Sequence, residues 1–437
     1  MYPRGQPSHR IDPEKNSGVA LSTPTGTLEL VRGMTESLTI GERVAWYRRR
    51  RGMTQDVLAG LVARTVDWLS KVENSRIELD RLSVIKSLAD ALDVSIGDLV
   101  GEPTLLDWSA DGGRETVPAV RAALMNYRDI VAVLGPGPAS EPPDLDQFSL
   151  EVASVWDAYQ DSRYGFVTAR LPALLTAARA ADRAYDGRAG ERAKTLLATS
   201  YQAAAMILSK LGETDLAWMA AERGLNAAQE SGNVIVVGSL LRSVTHSLLA
   251  TGRPAEAVRL TLDAAEYLEP GLSKATADYL SIYGTLFLAG AMAASRNDDR
   301  GTTRTFLEEA DAVASRLGHD GNHFWTAFGP TNVAIHRVST AMELGDVQVA
   351  VDLGPRVDAS ALPMERRIRH AIEVARAFSA WNRRDEALSA LLDAERLSPE
   401  QVRHHYISRQ LVLSWVRQER AKPSFELAGL AERMRIA

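Results

Sequence analysis

Val66, Asp67, Ser70 and Lys71 have the types and spacing of side chains that read base edges. A valine can meet a thymine methyl, an aspartate can accept from a cytosine amino group, and a lysine can donate to guanine. Asp67 has a second use, as an extra acceptor at the start of its own helix, where negative charge is favoured. Gln55, Asn74, Arg76 and the run Arg48-Arg49-Arg50-Arg51 surround them. Such groups grip phosphates and set register without carrying sequence information. Neighbouring helical residues project about 100° apart, so the four arginines cannot all meet one backbone. Arg49 and Arg51 are the candidates.

A second constellation lies further along. Arg242, His246, Asn332, His336 and Arg369 fall on the inward register of separate amphipathic stretches, with Trp325 and Phe328 beside the restart at Gly329-Pro330. Together they suit a ligand carrying a carboxylate or amide, with the two aromatics as its apolar wall. A helix opening at Gly-Pro-Thr-Asn also presents free backbone amides to an anion. Polar residues on an inward face are costly unless they meet water or a ligand. Two readings stay open: a ligand groove, or a wide water-filled superhelix whose lining is ordinary surface. Alternatively, His246 and His336 cap neighbouring carbonyls as core residues.

The elements that position the first set are short helices. Thr54 and Thr65 are hydroxyl N-caps and further candidate DNA contacts, the first opening a helix with Leu58, Ala59 and Val62 on one face, the second one with Leu69 and Val72. A further helix has apolar residues at Leu82, Ile85, Leu88, Ala89 and Leu92, and a short serine-capped helix follows at Ser95 to Leu99. The span from about Leu38 to Val100 resembles the helix-turn-helix domain of the repressor family that includes the Cro and phage repressor proteins. Thr54-Gln55, Leu58-Ala59, Leu69-Ser70, Val72-Glu73 and Ser95-Ile96-Gly97-Asp98-Leu99 carry the resemblance. It implies DNA binding and a buried ion pair between helix 1 and the end of the recognition helix, here Arg48 and Glu73.

With 437 residues the chain is too long for that unit alone. Its hydrophobic share of 45% supports a sizeable core, and no apolar run of about 18 residues suggests a membrane span. No cysteine is present, which excludes disulfides, thiolate metal sites and cysteine nucleophiles. The net charge of −6 means that any nucleic-acid contact comes from a local patch, not bulk attraction. Residues 1–36 mix Pro, Gly, Ser and Thr without an apolar signal core. They read as a flexible arm, with a minor-groove role for Arg4 and Arg10 as the alternative, and the protein as cytoplasmic.

From Val117 the sequence is alanine-rich and helical in period. A connecting helix (Val117 to Leu134) and a Pro-rich link (Gly135 to Pro143) precede the main array. Breaks at Gly212, Gly252, Gly345 and Asn382 each precede an alanine five residues on, at Ala217, Ala257, Ala350 and Ala387, with a degenerate copy at Asn297. A tight turn followed by a small residue at a helix crossing is the tetratricopeptide pattern. One or two further units fall between Phe148 and Arg192. The fold expected is all-α: a flexible arm (1–36), a five-helix helix-turn-helix domain (37–103), a connecting helix and linker (104–147), and a tetratricopeptide-like right-handed α-superhelix (148–437).

The run Asn322 to His336, with Met364-Glu365-Arg366-Arg367 and Glu395-Arg396-Leu397-Ser398-Pro399-Glu400, resembles large actinobacterial helix-turn-helix regulators with helical-repeat C-terminal halves. More distantly the architecture is similar to peptide-sensing quorum regulators of Gram-positive bacteria. That resemblance implies a peptide gripped by asparagine amides, for which Asn332 is the best match. No nucleotide-binding, serine-hydrolase or zinc-protease motif is present, and adjacent His404-His405 make a poor metal pair, so neither an enzyme, a cofactor nor a metal is expected. Two functions compete: a homodimeric transcription factor on a two-fold DNA operator, shifted by a small molecule or peptide, and a DNA-tethered scaffold whose repeats dock another protein.

Overall fold

Turn chemistry dictates most of this architecture. The computed structural model describes residues 38–77, 79, 81–94, 99–100, 116–126, 141–419 and 423–436. Among them regular structure is helical, save an isolated bridge between Gly321 and Phe328. The expectations for the arm, for Ser95 to Asp98 and for most of the Pro-rich link lie outside the described residues.

Helix α1 (Ile40–Arg50) opens with a capping box: Thr39 Oγ1 accepts from the Glu42 amide at 3.1 Å, and the Glu42 carboxylate accepts from the Thr39 amide at 2.8 Å. Thr54 and Thr65 cap α2 (Gln55–Leu61) and α3 (Val66–Glu73) as expected, accepting from the Val57 and Trp68 amides at 3.2 Å each. With α4 (Leu82–Leu92) these helices bury Val44, Leu58, Leu69, Val72, Ile85, Leu88 and Leu92 completely. The α1–α3 crossing needs Gly41, because a Cβ there would lie 2.0 Å from the Val72 carbonyl oxygen. Buried Arg43, a residue the motif did not single out, donates to the Leu99 and Val100 carbonyls at 3.2 and 2.6 Å and pins the end of the domain to α1.

The array comprises α5 (Thr116–Leu124) and then antiparallel pairs: α6 (Leu145–Gln160) with α7 (Tyr164–Ala184), α8 (Gly187–Lys210) with α9 (Thr214–Ser231), and α10 (Val234–Ala250) with α11 (Pro254–Leu268). Next come α12 (Ala277–Arg296) with α13 (Arg300–Leu317), α14 (Pro330–Leu344) with α15 (Val347–Leu353), and α16 (Met364–Ala380) with α17 (Arg384–Leu397). Helices α18 (Pro399–His404), α19 (Tyr406–Gln418) and α20 (Phe425–Arg433) finish the chain. Helix α5 is no mere connector: Val120 and Leu124 are fully buried in the first core, and Arg179 and Arg223 donate to its last carbonyls.

Each pair turns through one left-handed residue, Ser162, Gly212, Gly252, Asp298, Gly345 or Asn382. The next amide then donates back five residues, from Arg163 to Ala158, Glu213 to Leu208, Arg253 to Leu248, Asp299 to Ala294, Asp346 to Ala341 and Arg383 to Phe378, at 2.8–3.0 Å. That is a Schellman closure, which satisfies carbonyls left open at the helix end. Ala217, Ala257, Ala350 and Ala387 are wholly buried where the paired helices meet. The degenerate copy corrects by one residue: Asp298, not Asn297, turns left-handed, and Thr303 takes the alanine position, 3% exposed. Ser162 with buried Val167 supplies the additional repeat at the start.

The two ends of the array touch. Glu400 accepts from the Tyr164 and Gly165 amides at 3.2 and 2.6 Å, capping α7 with a carboxylate. Ser162 Oγ donates to Gln401 Oε1 at 2.6 Å, and Gln401 Nε2 donates to the Glu365 carbonyl at 3.1 Å. The repeats therefore close on themselves around an interior.

The recognition helix and the enclosed chamber

The outer face of α3 stays open. Val66 is 40% exposed, and the side chains of Asp67 and Lys71 retain 75% and 47% of their surface. Lys71 Nζ pairs with Asp67 Oδ2 at 2.7 Å, one turn apart, so the two proposed base readers hold each other. Ser70 is half-buried, and its carbonyl accepts from Asn74 Nδ2 at 2.7 Å. Glu73 receives a bidentate Arg48 and also the Gln55 amide at 2.8 Å. This corrects the expectation for Gln55: its side chain orients the ion pair. Arg51 is corrected too, because it donates to the Asp93 carboxylate and carbonyl at 2.7 and 3.1 Å. Arg49 and Arg76 are exposed. Sequence reasoning missed Arg64, which is exposed beside the turn with its guanidinium 5.5 Å from the Trp68 ring centroid.

The same domain docks on the array by its other side. The Ile40 amide donates to Gln410 Oε1 at 3.4 Å, Glu42 pairs with Arg417, and Arg81 Nε donates to the Glu343 carbonyl at 2.8 Å. Between the surfaces lies a cavity of about 40 Å³, with Ile40, Gly41 and Val72 on one wall and Arg376, Tyr406 and Gln410 on the other.

Inside the array the first helix of each pair lines a polar chamber. Lys210, Arg242, Arg296, Arg366, Arg369 and Arg376 face Glu343, Glu365 and Glu373. Lys210, Arg366 and Arg369 keep 20%, 24% and 22% of their side-chain surface accessible, so solvent reaches this polar interior. Lys210 is paired with Glu365, and Arg376 reaches Glu343 and Glu373 at 3.2 and 3.1 Å. Desolvation pushes His336 down to about 3 and His246 well below its usual range, with Arg366 among the neighbours that reinforce both shifts. Both imidazoles are therefore neutral at physiological pH. The Lys210 and Arg366 neighbours hold Glu365 ionised, down to about 2, against the cost of its burial.

Four of the seven predicted ligand residues meet here. Arg242, His246, His336 and Arg369 share the chamber. His336 Nδ1 donates to the Asn332 carbonyl at 2.8 Å, so the capping role holds for one ring nitrogen and its Nε2 is left as an acceptor. Arg369 donates to His405 Nε2 at 2.7 Å and lies 3.4 Å from Glu373. Asn332 is 1% exposed, with Nδ2 weakly bound to the Thr326 carbonyl at 3.4 Å and Oδ1 without a partner.

Two expectations for the ligand wall fail. Phe328 is fully buried against Gly284, where a Cβ would come within 2.0 Å of the ring, so it is core and no chamber wall. Trp325 stacks on Trp156 at 5.3 Å and donates to Asp157 at 2.9 Å, stitching the loop to α6. Nor is the Gly329-Pro330 restart an open anion site, since Asp320 already accepts from the Thr331 amide and hydroxyl at 3.0 and 2.7 Å. Sequence reasoning missed Lys210, Glu343, His405 and Tyr406; the first two sit at the C-terminal ends of inner helices.

Residues 39–102 match a family model described as a helix-turn-helix domain. The chain is thus a helix-turn-helix DNA-binding domain followed by a helical array. Among curated proteins the sequence finds no match. Among solved structures, one similar chain is Bacillus thuringiensis PlcR in complex with the peptide PapR7 and DNA, at 11% identity and a TM-score of 0.31, covering 82% of this chain and 99% of that one. Among the described residues no helix is long and apolar enough to cross a membrane, and no cluster of His, Asp or Glu has the form of a metal site.

Proposed function

We propose that this helix-turn-helix protein is a sequence-specific transcriptional regulator, acting as a homodimer on a two-fold operator, whose array senses a small molecule or peptide in its chamber. The observation that carries the reading is the shared wall. Glu343 offers its carboxylate to Arg376 inside the array while its carbonyl holds Arg81 of the DNA-binding domain. A ligand that redistributes the Arg369, Glu373, Arg376 and Glu343 contacts thereby acts on the seat of that domain. Such coupling needs differential affinity for two arrangements, typically about 1–3 kcal/mol. Pairing two domains multiplies the few base pairs one recognition helix reads and sets half-sites one helical turn apart.

The test uses the full chain. DNA that co-purifies is sequenced to obtain the operator, and band shifts are run with and without an inducing cell extract. Asn332→Ala with Arg369→Ala should still shift the operator but lose the response to the extract. A normal response from the double variant places the effector elsewhere and favours the scaffold reading. Sedimentation of the full chain at micromolar concentration should show a dimer.

A further inference from the structure

Arg242 is 5% exposed, lies on α10 deep in the chamber, and has no ion-pair partner among the described residues; its Nε is without a hydrogen bond. Arg366 from α16 is its electrostatic neighbour. A carboxylate near both, Glu365, is taken by Lys210 and stands 3.9 Å from Arg366 Nε, which also lacks a hydrogen bond. Leaving a guanidinium buried and unpaired costs several kcal/mol in a protein interior. Folds keep such a group where it has a partner to receive.

The geometry points to an organic carboxylate seated on Arg242 and Arg366 as the guest of this chamber. Two guanidiniums match a carboxylate through paired N–H donors, a geometry that a lysine does not provide. The rest of the guest meets the Tyr159 hydroxyl, which lies within the field of Arg242 and Arg366, and the acceptor Nε2 of His336, which favours a compact organic body over a bare inorganic anion. The inference rests on the reading of the chamber as an effector site and names the class of effector. It also moves the anion from the Gly329-Pro330 restart, where Asp320 is in place, to the α10–α16 pair.

The experiment compares benzoate and acetate with benzamide and acetamide, which keep the shape and remove the charge, by thermal shift and calorimetry on the full chain. The acids should raise the melting temperature and the amides should not. Arg242→Gln and Arg366→Gln should each weaken benzoate binding roughly tenfold or more, the loss of a charge-assisted hydrogen bond. Without ligand, Arg242→Gln should melt no lower than the parent, since it removes an unpaired buried charge; a merely structural arginine would melt lower. Equal response to acid and amide, no response to either acid, or unchanged benzoate affinity in Arg242→Gln would overturn the proposal. Band shifts run alongside separate the two claims. Benzoate binding without any change in operator affinity sinks regulation through the chamber and keeps the carboxylate site. Release by a cell extract with no carboxylate response does the reverse.

Discussion

The Arg48 guanidinium spans both oxygens of Glu73, Nε to Oε1 at 2.5 Å and Nη2 to Oε2 at 2.8 Å, and so ties α1 to the C-terminal end of the recognition helix. Its Nη1 donates to the Met53 carbonyl at 2.8 Å, which fixes the turn into α2 as well. Removing one partner strands the other in the core, and broken buried pairs cost about 3–5 kcal/mol. Glu73→Gln should therefore unfold the small domain at lower urea while the array keeps its own transition. A single unchanged transition by circular dichroism would show the pair to be dispensable.

Lys71 is expected to leave Asp67 for a base edge on binding. Lys71→Ala should weaken the cognate operator by about 1–3 kcal/mol and relax its sequence preference. Asp67→Asn, which frees Lys71 and removes a negative charge from the exposed face of α3, should raise affinity for unrelated duplex. Fluorescence anisotropy on specific and scrambled DNA reads both. Unaltered discrimination in the two variants would remove this pair from the reading surface.

The candidate phosphate contacts differ in their partners within the protein. Arg49→Ala and Arg76→Ala should each lower the slope of log affinity against log salt by about one unit. Arg51→Ala should leave that slope alone and instead loosen the α4 C-terminus, because its partner is Asp93. A slope change in Arg51→Ala would mean that the Asp93 contact gives way to DNA.

The chamber histidines make stability depend on pH. A histidine depressed in the fold binds no proton where the unfolded chain does, so stability is full above its ordinary value near 6.5 and falls as pH drops toward the folded value. For His336 the window runs from about 6.5 to about 3, and His246, His370 and His405 are shifted the same way by desolvation. Urea midpoints should fall steadily below pH 6.5, and His336→Gln should shallow the slope. A flat midpoint from pH 7 to 5 would contradict neutral burial of these rings.

Docking of the small domain should respond to Arg81. Arg81→Ala removes the bond to the Glu343 carbonyl and the 3.3 Å contact with Asp298, leaving Glu42–Arg417 and Gln410 to hold the seat. Hydrogen exchange at the ends of α1 and α14 should quicken while the interior of α3 stays protected. No change at either end would show that Arg81 does not hold the seat.

Local rules made much of this protein legible without coordinates. Thr54 and Thr65 cap because a hydroxyl before a helix is the nearest acceptor for its open amides, a relationship spanning three residues. The turns at Gly212, Gly252, Gly345 and Asn382 and the alanines after them follow from backbone sterics and close packing, which again act over a handful of positions. The inward register of Arg242, His246, His336 and Arg369 came from the same helical period. What the period could not state is which neighbour each side chain finds across the fold. Phe328 became core because Gly284 on another helix leaves room for its ring, and Trp325 joined α6 through Trp156 and Asp157. Gln55 and Arg51 turned inward or sideways because Glu73 and Asp93 were brought within reach. The closure through Glu400 and Gln401 joins residues more than two hundred positions apart, and no local pattern encodes that distance. Capping, turns and periodicity are energies of neighbours in sequence, readable in order along the chain. Pairing of charges and packing of rings are energies of neighbours in space, and only the closed array decided them.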